Sequence, residues 1–157
     1  MQIVVPKETH PHETRVAMVP ASVKKLVPLG ATIAIEAGLG DHLNLPDSTF
    51  EEAGATIVKD RKELLGSGDI VLRVRKPESD ELSSLKKNAI HISYLDPFQD
   101  KVTTGALKEA GITSLCMEMV PRSTLAQKMD ALSSQASLAG YVAVMEAAHL
   151  LDRIFPM

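Results

Sequence analysis

The chain is poor in the residues that staple or anchor a protein. Cys116 is its only cysteine and it has no tryptophan among 157 residues. An internal disulfide and a cysteine-built zinc site are therefore both excluded. No stretch approaches the roughly 18 consecutive apolar residues that would span a bilayer. Charge of one sign is also missing: 17 Lys and Arg against 20 Asp and Glu leave a net charge of -3. No broad basic field exists to draw nucleic acid or anionic lipid, so neither nucleic-acid binding nor direct membrane insertion is expected. The opening Met1-Gln2-Ile3-Val4-Val5-Pro6-Lys7-Glu8 lacks the zones of a signal peptide and the arginines of a transit peptide.

The motifs of familiar catalytic and nucleotide sites are absent as well. No Gly-x-Gly-x-x-Gly follows a strand, and there is no Walker A sequence and no Gly-x-Ser-x-Gly elbow. Gly38-Leu39-Gly40 follows a strand without a third glycine and reads as a turn. The histidines at 10, 12, 42, 91 and 149 form no metal-binding spacing, so no metal is expected. His10 and His12 lie in a Pro-containing loop, and His149 reads as a core or interface residue of a helix.

What is present is an ordinary globular composition, 45% apolar and 24% charged, organised as short Val- and Ile-rich runs alternating with amphipathic segments. That pattern defines an α/β fold with an open, mostly parallel sheet and flanking helices, Rossmann-like or flavodoxin-like, followed by a long C-terminal helix. Strands are expected at Gln2–Val5, Thr32–Glu36, Thr56–Val58, Asp69–Val74, Ala89–Tyr94 and Thr113–Met117. Helices are expected near Pro20–Leu29, Asp47–Ala53, Arg61–Leu65, Ser79–Lys87 and Phe98–Ala110. Gly30, Gly54 and Gly111 stand where helices must end in a left-handed residue before a β-branched strand. Pro20 suits a first helical turn and Asp47 a cap.

The final segment, from about Ser134 to Phe155, differs in kind. Ala136, Ala139, Gly140, Ala143, Ala147 and Ala148 make it small-faced, with Leu138, Val142, Met145, Leu150 and Leu151 apolar. A second domain or subunit packing against it, or a place in the core of the same domain, both account for that composition. The division expected is residues 1–133 as the α/β domain and 134–157 as a connecting helix. The ending Phe155-Pro156-Met157 reads as a truncation.

Polar candidates gather where strands end, the edge at which open parallel sheets bind ligands. Arg15 follows the first strand. Arg73, Arg75 and Lys76 close the fourth, with Arg73 and Arg75 on one face if the strand persists. Their positive field suits a carboxylate or phosphate, and local salt bridges account for them equally well. The stretch Met117–Gln135 holds Arg122, Gln127, Asp130, Ser133, Ser134 and Gln135. These supply donors and acceptors of the kind a carboxamide needs. The alternative is a surface loop whose Ser133 or Ser134 caps the next helix.

Val5-Pro6-Lys7-Glu8 with Glu13-Thr14-Arg15-Val16-Ala17 resembles the opening of the alanine dehydrogenase and nicotinamide nucleotide transhydrogenase superfamily. Glu36-Ala37-Gly38-Leu39-Gly40, Ala53-Gly54-Ala55 and Val71-Leu72-Arg73-Val74-Arg75-Lys76-Pro77 are similar to its next blocks, in the same order. Met129-Asp130-Ala131-Leu132-Ser133-Ser134-Gln135, then Ala139-Gly140-Tyr141, looks like the transhydrogenase branch. The resemblance implies an NAD(H)-binding component that forms a homodimer. It also implies membrane-embedded and NADP(H)-binding partner subunits, and a cytoplasmic location at the inner membrane through them. It places Gln127 beside the reacting ring, with Arg122, Asp130 and Ser133 orienting the nicotinamide and its ribose. Many members carry a second arginine where Leu125 stands here. NAD(H) is then bound mostly by a C-terminal dinucleotide domain beyond this chain.

The branches differ chemically. Alanine dehydrogenation moves protons as well as hydride, and the resemblance puts its acid/base His near Ser93–Phe98, where this chain has Asp96. Its substrate-binding Lys would fall near Arg73 or Arg75, and arginine gives up no proton near neutral pH. Hydride transfer between two nicotinamides, coupled to proton translocation by partner subunits, needs neither. An alanine-dehydrogenase-like enzyme and a non-catalytic dimerisation domain are the competing readings.

Overall fold

A computed structural model describes residues 1–154. It divides into two compact units, residues 1–116 and the chain from Met117 onward. In the first unit the strands are β1 (Gln2–Val5), β2 (Thr32–Glu36), β3 (Ala55–Val58), β4 (Ile70–Leu72), β5 (Ile90–Ser93) and β6 (Thr113–Cys116). They form one six-stranded sheet in the order β3-β2-β1-β4-β5-β6. Every pairing is parallel.

The alternation within β1 explains why both faces are covered. Ile3 and Val5 join Ile33, Ile35, Val23 and Phe50 in one core cluster. Val4, pointing the other way, joins Ala34, Leu64, Leu65 and Val71 in a second. Helices α1 (Pro20–Leu26) and α2 (Asp47–Glu52) supply Val23 and Phe50 to the first face, and α3 (Arg61–Ser67) supplies the two leucines to the other. A third cluster of Ala89, Leu95, Leu107 and Ile112 seats α4 (Lys101–Glu109). The helix exits at Gly30, Gly54 and Gly111 have φ of 83°, 101° and 72°, the left-handed region that glycine enters without cost to a Cβ.

Several expected boundaries shift for identifiable reasons. The expected helix over Ser79–Lys87 is only a 3-10 turn at Leu82–Ser84. There Ser83 donates to the Asp80 carbonyl, and the Glu81 carboxylate accepts from the Glu78 amide. Such local bonds compete with a helical ladder. Asp47 does not cap its own helix: Pro46 is the N-cap, and the Asp47 carboxylate accepts from the Gly38 amide at 2.8 Å. Strand β4 ends at Leu72, short of Val74, because the Val74 and Arg75 amides donate to the Glu8 side chain.

The second unit holds short 3-10 turns at Met117–Met119 and Gln127–Met129, then helix α5 (Ala131–Leu150). The helix starts three residues before the expected Ser134. Phe155, Pro156 and Met157, where the helix and the chain end were expected, lie outside the described residues. Among α5 residues none is buried, and Leu138, Tyr141, Val142, Val144, Met145 and Leu150 are all more than half exposed within the chain. No helix among the described residues is long and apolar enough to cross a membrane.

Candidate functional site

The loop of the second unit is built from consecutive tight turns. Ser123 donates its amide to the Pro121 carbonyl, Ala126 donates to Ser123, and Met129 donates to Ala126. Ala126 is the buried pivot of these turns. The next turn ends in Asp130, the N-cap of α5. Its Oδ1 accepts from the Leu132 amide at 3.0 Å and the Ser133 amide at 3.3 Å. Its Oδ2 accepts from Ser133 Oγ at 2.5 Å. The Ser133 bond, then the two amides and the charge of Arg122, hold its carboxyl below the ordinary carboxylate range.

Of the four residues expected to form a site, the structure thus joins two and leaves two outward. Asp130 and Ser133 are bonded to each other. Arg122 and Gln127 are exposed, and their side chains hydrogen-bond to nothing among the described residues. The cap is Asp130, not Ser133 or Ser134; Ser134 Oγ donates instead to the Ala131 carbonyl at 3.1 Å.

The first unit carries a separate polar edge. Its strand order reverses between β1 and β4, and this reversal marks the crevice used by ligands in doubly wound sheets. Here Glu8 spans the crevice, leaving β1 and accepting from the amides of Val74 at 2.6 Å and Arg75 at 3.2 Å after β4. Next to it, Glu13 accepts from Arg15 Nε at 2.7 Å and Arg75 Nε at 2.8 Å. The Arg15 hydrogen bond leads in lowering the Glu13 pKa to about 2 against its burial. Arg15 also lies 5.6 Å from the Tyr94 ring centroid.

Arg73 has a different fate. Its strand has ended, so Arg73 and Arg75 no longer share a face by alternation. The Arg73 side chain is 1% exposed and is bonded to Glu81. Glu81 also accepts from Arg61 Nε at 2.6 Å, and Arg61 in turn binds Glu36 and the Lys7 carbonyl. Burial pushes the Glu81 carboxyl up, but the charge of Arg73 and the bonds from Arg73 and Arg61 outweigh it and hold the pKa low. Glu8, Glu36, Arg61 and Glu81 were not singled out from the sequence. They lie far apart in the chain, and only the parallel topology brings their strand ends together.

The histidines do not converge. His10, His12, His42 and His149 are exposed, and no group of three metal-binding side chains occurs among the described residues. His91 is fully buried on β5, and burial, then Arg73, lowers its pKa to about 4. In the stretch Ser93–Phe98, near which the resemblance puts an acid/base His, Asp96 sits exposed at φ 49°.

The fold and its polar edge define a doubly wound α/β domain of the kind found in nicotinamide-nucleotide enzymes, though without the glycine turn that holds a pyrophosphate. Residues 4–139 match the family model described as alanine dehydrogenase/PNT, N-terminal domain, and the chain belongs to that family. NAD(P) transhydrogenase subunit alpha of Cereibacter sphaeroides is 41% identical over 155 residues, covering 99% of this chain and 30% of the relative. A crystal structure of transhydrogenase from Sinorhizobium meliloti superposes with a TM-score of 0.92 at 41% identity, over 100% of this chain and 47% of that one. Alanine dehydrogenase of Mycobacterium tuberculosis is 31% identical over 153 residues, 98% of this chain and 41% of the relative. The chain spans less than half the length of these relatives, and its similarity to the transhydrogenase alpha subunit exceeds that to alanine dehydrogenase.

Proposed function

We propose that the chain is the N-terminal part of the NAD(H)-binding alpha subunit of a proton-translocating NAD(P) transhydrogenase. The observation that carries the reading is the TM-score of 0.92 with a transhydrogenase, in a match that covers 100% of this chain. The lack of a histidine in Ser93–Phe98, near which the resemblance puts an acid/base His, supports it against an alanine-dehydrogenase-like activity. In this reading, residues 1–133 form the α/β domain and the helix after it leads to a dinucleotide-binding domain that holds most of the NAD(H). The subunit is a homodimer in the cytoplasm, held at the inner membrane by membrane-embedded and NADP(H)-binding partners.

The residues present suit one end of the nucleotide only. Arg122 and Gln127 offer exposed donors and an acceptor for a nicotinamide carboxamide and its ribose, with Asp130 and Ser133 completing that end. The crevice between β1 and β4 offers no comparable cradle for the pyrophosphate among the described residues, because Glu8 spans it. When bound, NADH supplies the hydride that passes to NADP+. The chain's part is to hold the ring in a near-attack arrangement, with no substrate proton to move.

Two measurements test this. Titration of the 157-residue chain with NADH should give no saturable binding in the micromolar range, and micromolar affinity would refute the assignment of most binding to another domain. The longer subunit carrying this chain should reduce an NADP+ analogue with NADH when joined to its partners. NADH oxidation on adding pyruvate and ammonia to that subunit would instead establish the alanine dehydrogenase activity.

A further inference from the structure

Four buried side-chain nitrogen or oxygen atoms have no hydrogen-bond partner among the described residues: Arg61 Nη2, Arg73 Nε, His91 Nε2 and Ser114 Oγ. Buried polar groups are ordinarily satisfied, so each such orphan calls for an explanation. Arg61 needs it least, since its other two nitrogens reach Glu81, Glu36 and the Lys7 carbonyl. The other three fall together. We propose that His91 Nε2, Ser114 Oγ and Arg73 Nε hold one buried water molecule between them, on the face of the sheet that α4 covers.

The register supplies the placement. His91 on β5 is paired with Ser114 on β6, so their side chains leave the same face of strands about 4.8 Å apart. Val71 is the β4 partner of His91. Arg73, two residues further on, stays docked against β5, its amide donating to the Ile92 carbonyl at 3.0 Å. Its charge reaches the imidazole and contributes to the lowered His91 pKa. Leu107 of α4 closes over this face, clustered with Ala89 and Ile112. Those two stand two residues before His91 and Ser114 and so share their side of the sheet. The imidazole is fully buried there, with the small Ser114 beside it across the strand pair.

The chemistry of the three atoms selects water. Ser93 Oγ lies 3.4 Å from His91 Nδ1 and donates to the Tyr94 carbonyl at 3.4 Å. Its one proton is then spent, so Nδ1 carries the imidazole proton and Nε2 is left a bare acceptor. Arg73 Nε can only donate, and the Ser114 hydroxyl can do either. A water that accepts from Arg73 and donates to His91 and Ser114 satisfies all three, within the about two to four partners a buried water takes. An anion fits worse: Glu81 already neutralises Arg73, and a bare Nε2 repels negative charge. An apolar occupant would leave every orphan unpaired. A surface cleft lined by Thr104 and Lys108 of α4 and by Ile112, Thr113 and Ser114 brings solvent to the β6 side of the site. The site lies in the first unit and does not depend on which enzyme the longer subunit is.

Water-selective nuclear Overhauser spectra of the 157-residue chain read it directly. Hδ2 and Hε1 of His91 flank Nε2, and both should show cross-peaks to water with the sign of a bound molecule. Ser114→Ala removes a hydroxyl whose exchanging proton could imitate water, and both cross-peaks should persist in that variant. A crystal structure of the parent should show a water within about 3.2 Å of His91 Nε2, Ser114 Oγ and Arg73 Nε, and it decides alone if the variant fails to fold. Cross-peaks missing from the parent would overturn the proposal. Their loss in Ser114→Ala would overturn it too, by showing that Ser114 bonds His91 directly. Chloride at the position, or no density there, would do the same.

Discussion

Removing the Glu81 carboxylate should be among the most damaging single changes in the first unit. Its two oxygens accept from Arg61 Nε and from Arg73, with side chains 22% and 1% exposed respectively, and it also accepts from the Glu78 amide. In Glu81→Ala, Arg61 retains Glu36 and the Lys7 carbonyl, but Arg73 becomes an unpaired buried cation. Breaking a buried pair in this way costs about 3–5 kcal/mol. That is a large part of the roughly 5–15 kcal/mol that holds a domain together. The corresponding fall in Tm is about 6–20 °C for a chain of this size. The chain has no tryptophan, so far-UV circular dichroism in urea and on heating is the suitable assay. The double variant Arg73→Met/Glu81→Leu removes both charges of the pair. It should be less destabilised than Glu81→Ala, because no buried charge is then left alone. The reasoning is refuted if Glu81→Ala costs under about 1 kcal/mol, or if the double variant is less stable than the single one.

Two other perturbations follow from the sheet. His91 is neutral in the folded state, its pKa lowered to about 4 chiefly by burial and then by Arg73, while Glu81 acts the other way. The unfolded chain takes up a proton near pH 6.5, so stability should hold above that value, fall by about 3 kcal/mol between pH 6.5 and 4, and then lose nothing further from this group. His91→Gln should flatten that part of the urea-stability profile, and an unchanged slope in the variant would contradict the assignment. Gly68→Ala should cost about 1–3 kcal/mol, since its Cβ would stand 2.4 Å from Cγ2 of the fully buried Val4. Gly105→Ala, with nothing within 4 Å of the new methyl, should be neutral or stabilising in the same urea titration.

The elements legible in the sequence are those whose pattern is local. β1 and β2 are Val- and Ile-rich runs bounded by Pro6 and Gly30, and their ends fall where composition puts them. The left-handed exits at Gly30, Gly54 and Gly111 were equally readable, because no other residue takes that φ as easily. Over Ser79–Lys87 the apolar spacing of Leu82 and Leu85 imitates a helix. Its first turn is instead decided by Glu81, whose partners Arg61 and Arg73 lie outside the segment. The cap of α5 was ambiguous for a similar reason. Asp130, Ser133 and Ser134 are all good capping residues, and only the geometry shows the carboxylate accepting while the Ser133 hydroxyl donates to it. The polar loop itself was visible as a cluster, but its split into bonded and outward pairs was not.

Strand order 3-2-1-4-5-6 is the order of dinucleotide-binding sheets, so the lack of a phosphate cradle at its reversal needs a physical account. Such cradles work by presenting unpaired amides and a close backbone to the anion. In this sheet the connection from β1 to α1 runs through Pro6-Lys7-Glu8 rather than a glycine turn. The two amides leaving β4, of Val74 and Arg75, donate to Glu8. The guanidiniums of Arg15 and Arg75 both donate to Glu13, whose side chain is 3% exposed. A phosphate arriving there would have to displace internal carboxylates that already satisfy the donors it needs. Each displaced carboxylate would then lose charge-assisted bonds, among the stronger ones a chain makes. This edge is therefore built as a brace between the loops after β1 and β4, and that is why the NADH titration of the isolated chain should fail to saturate even though the sheet has a dinucleotide topology.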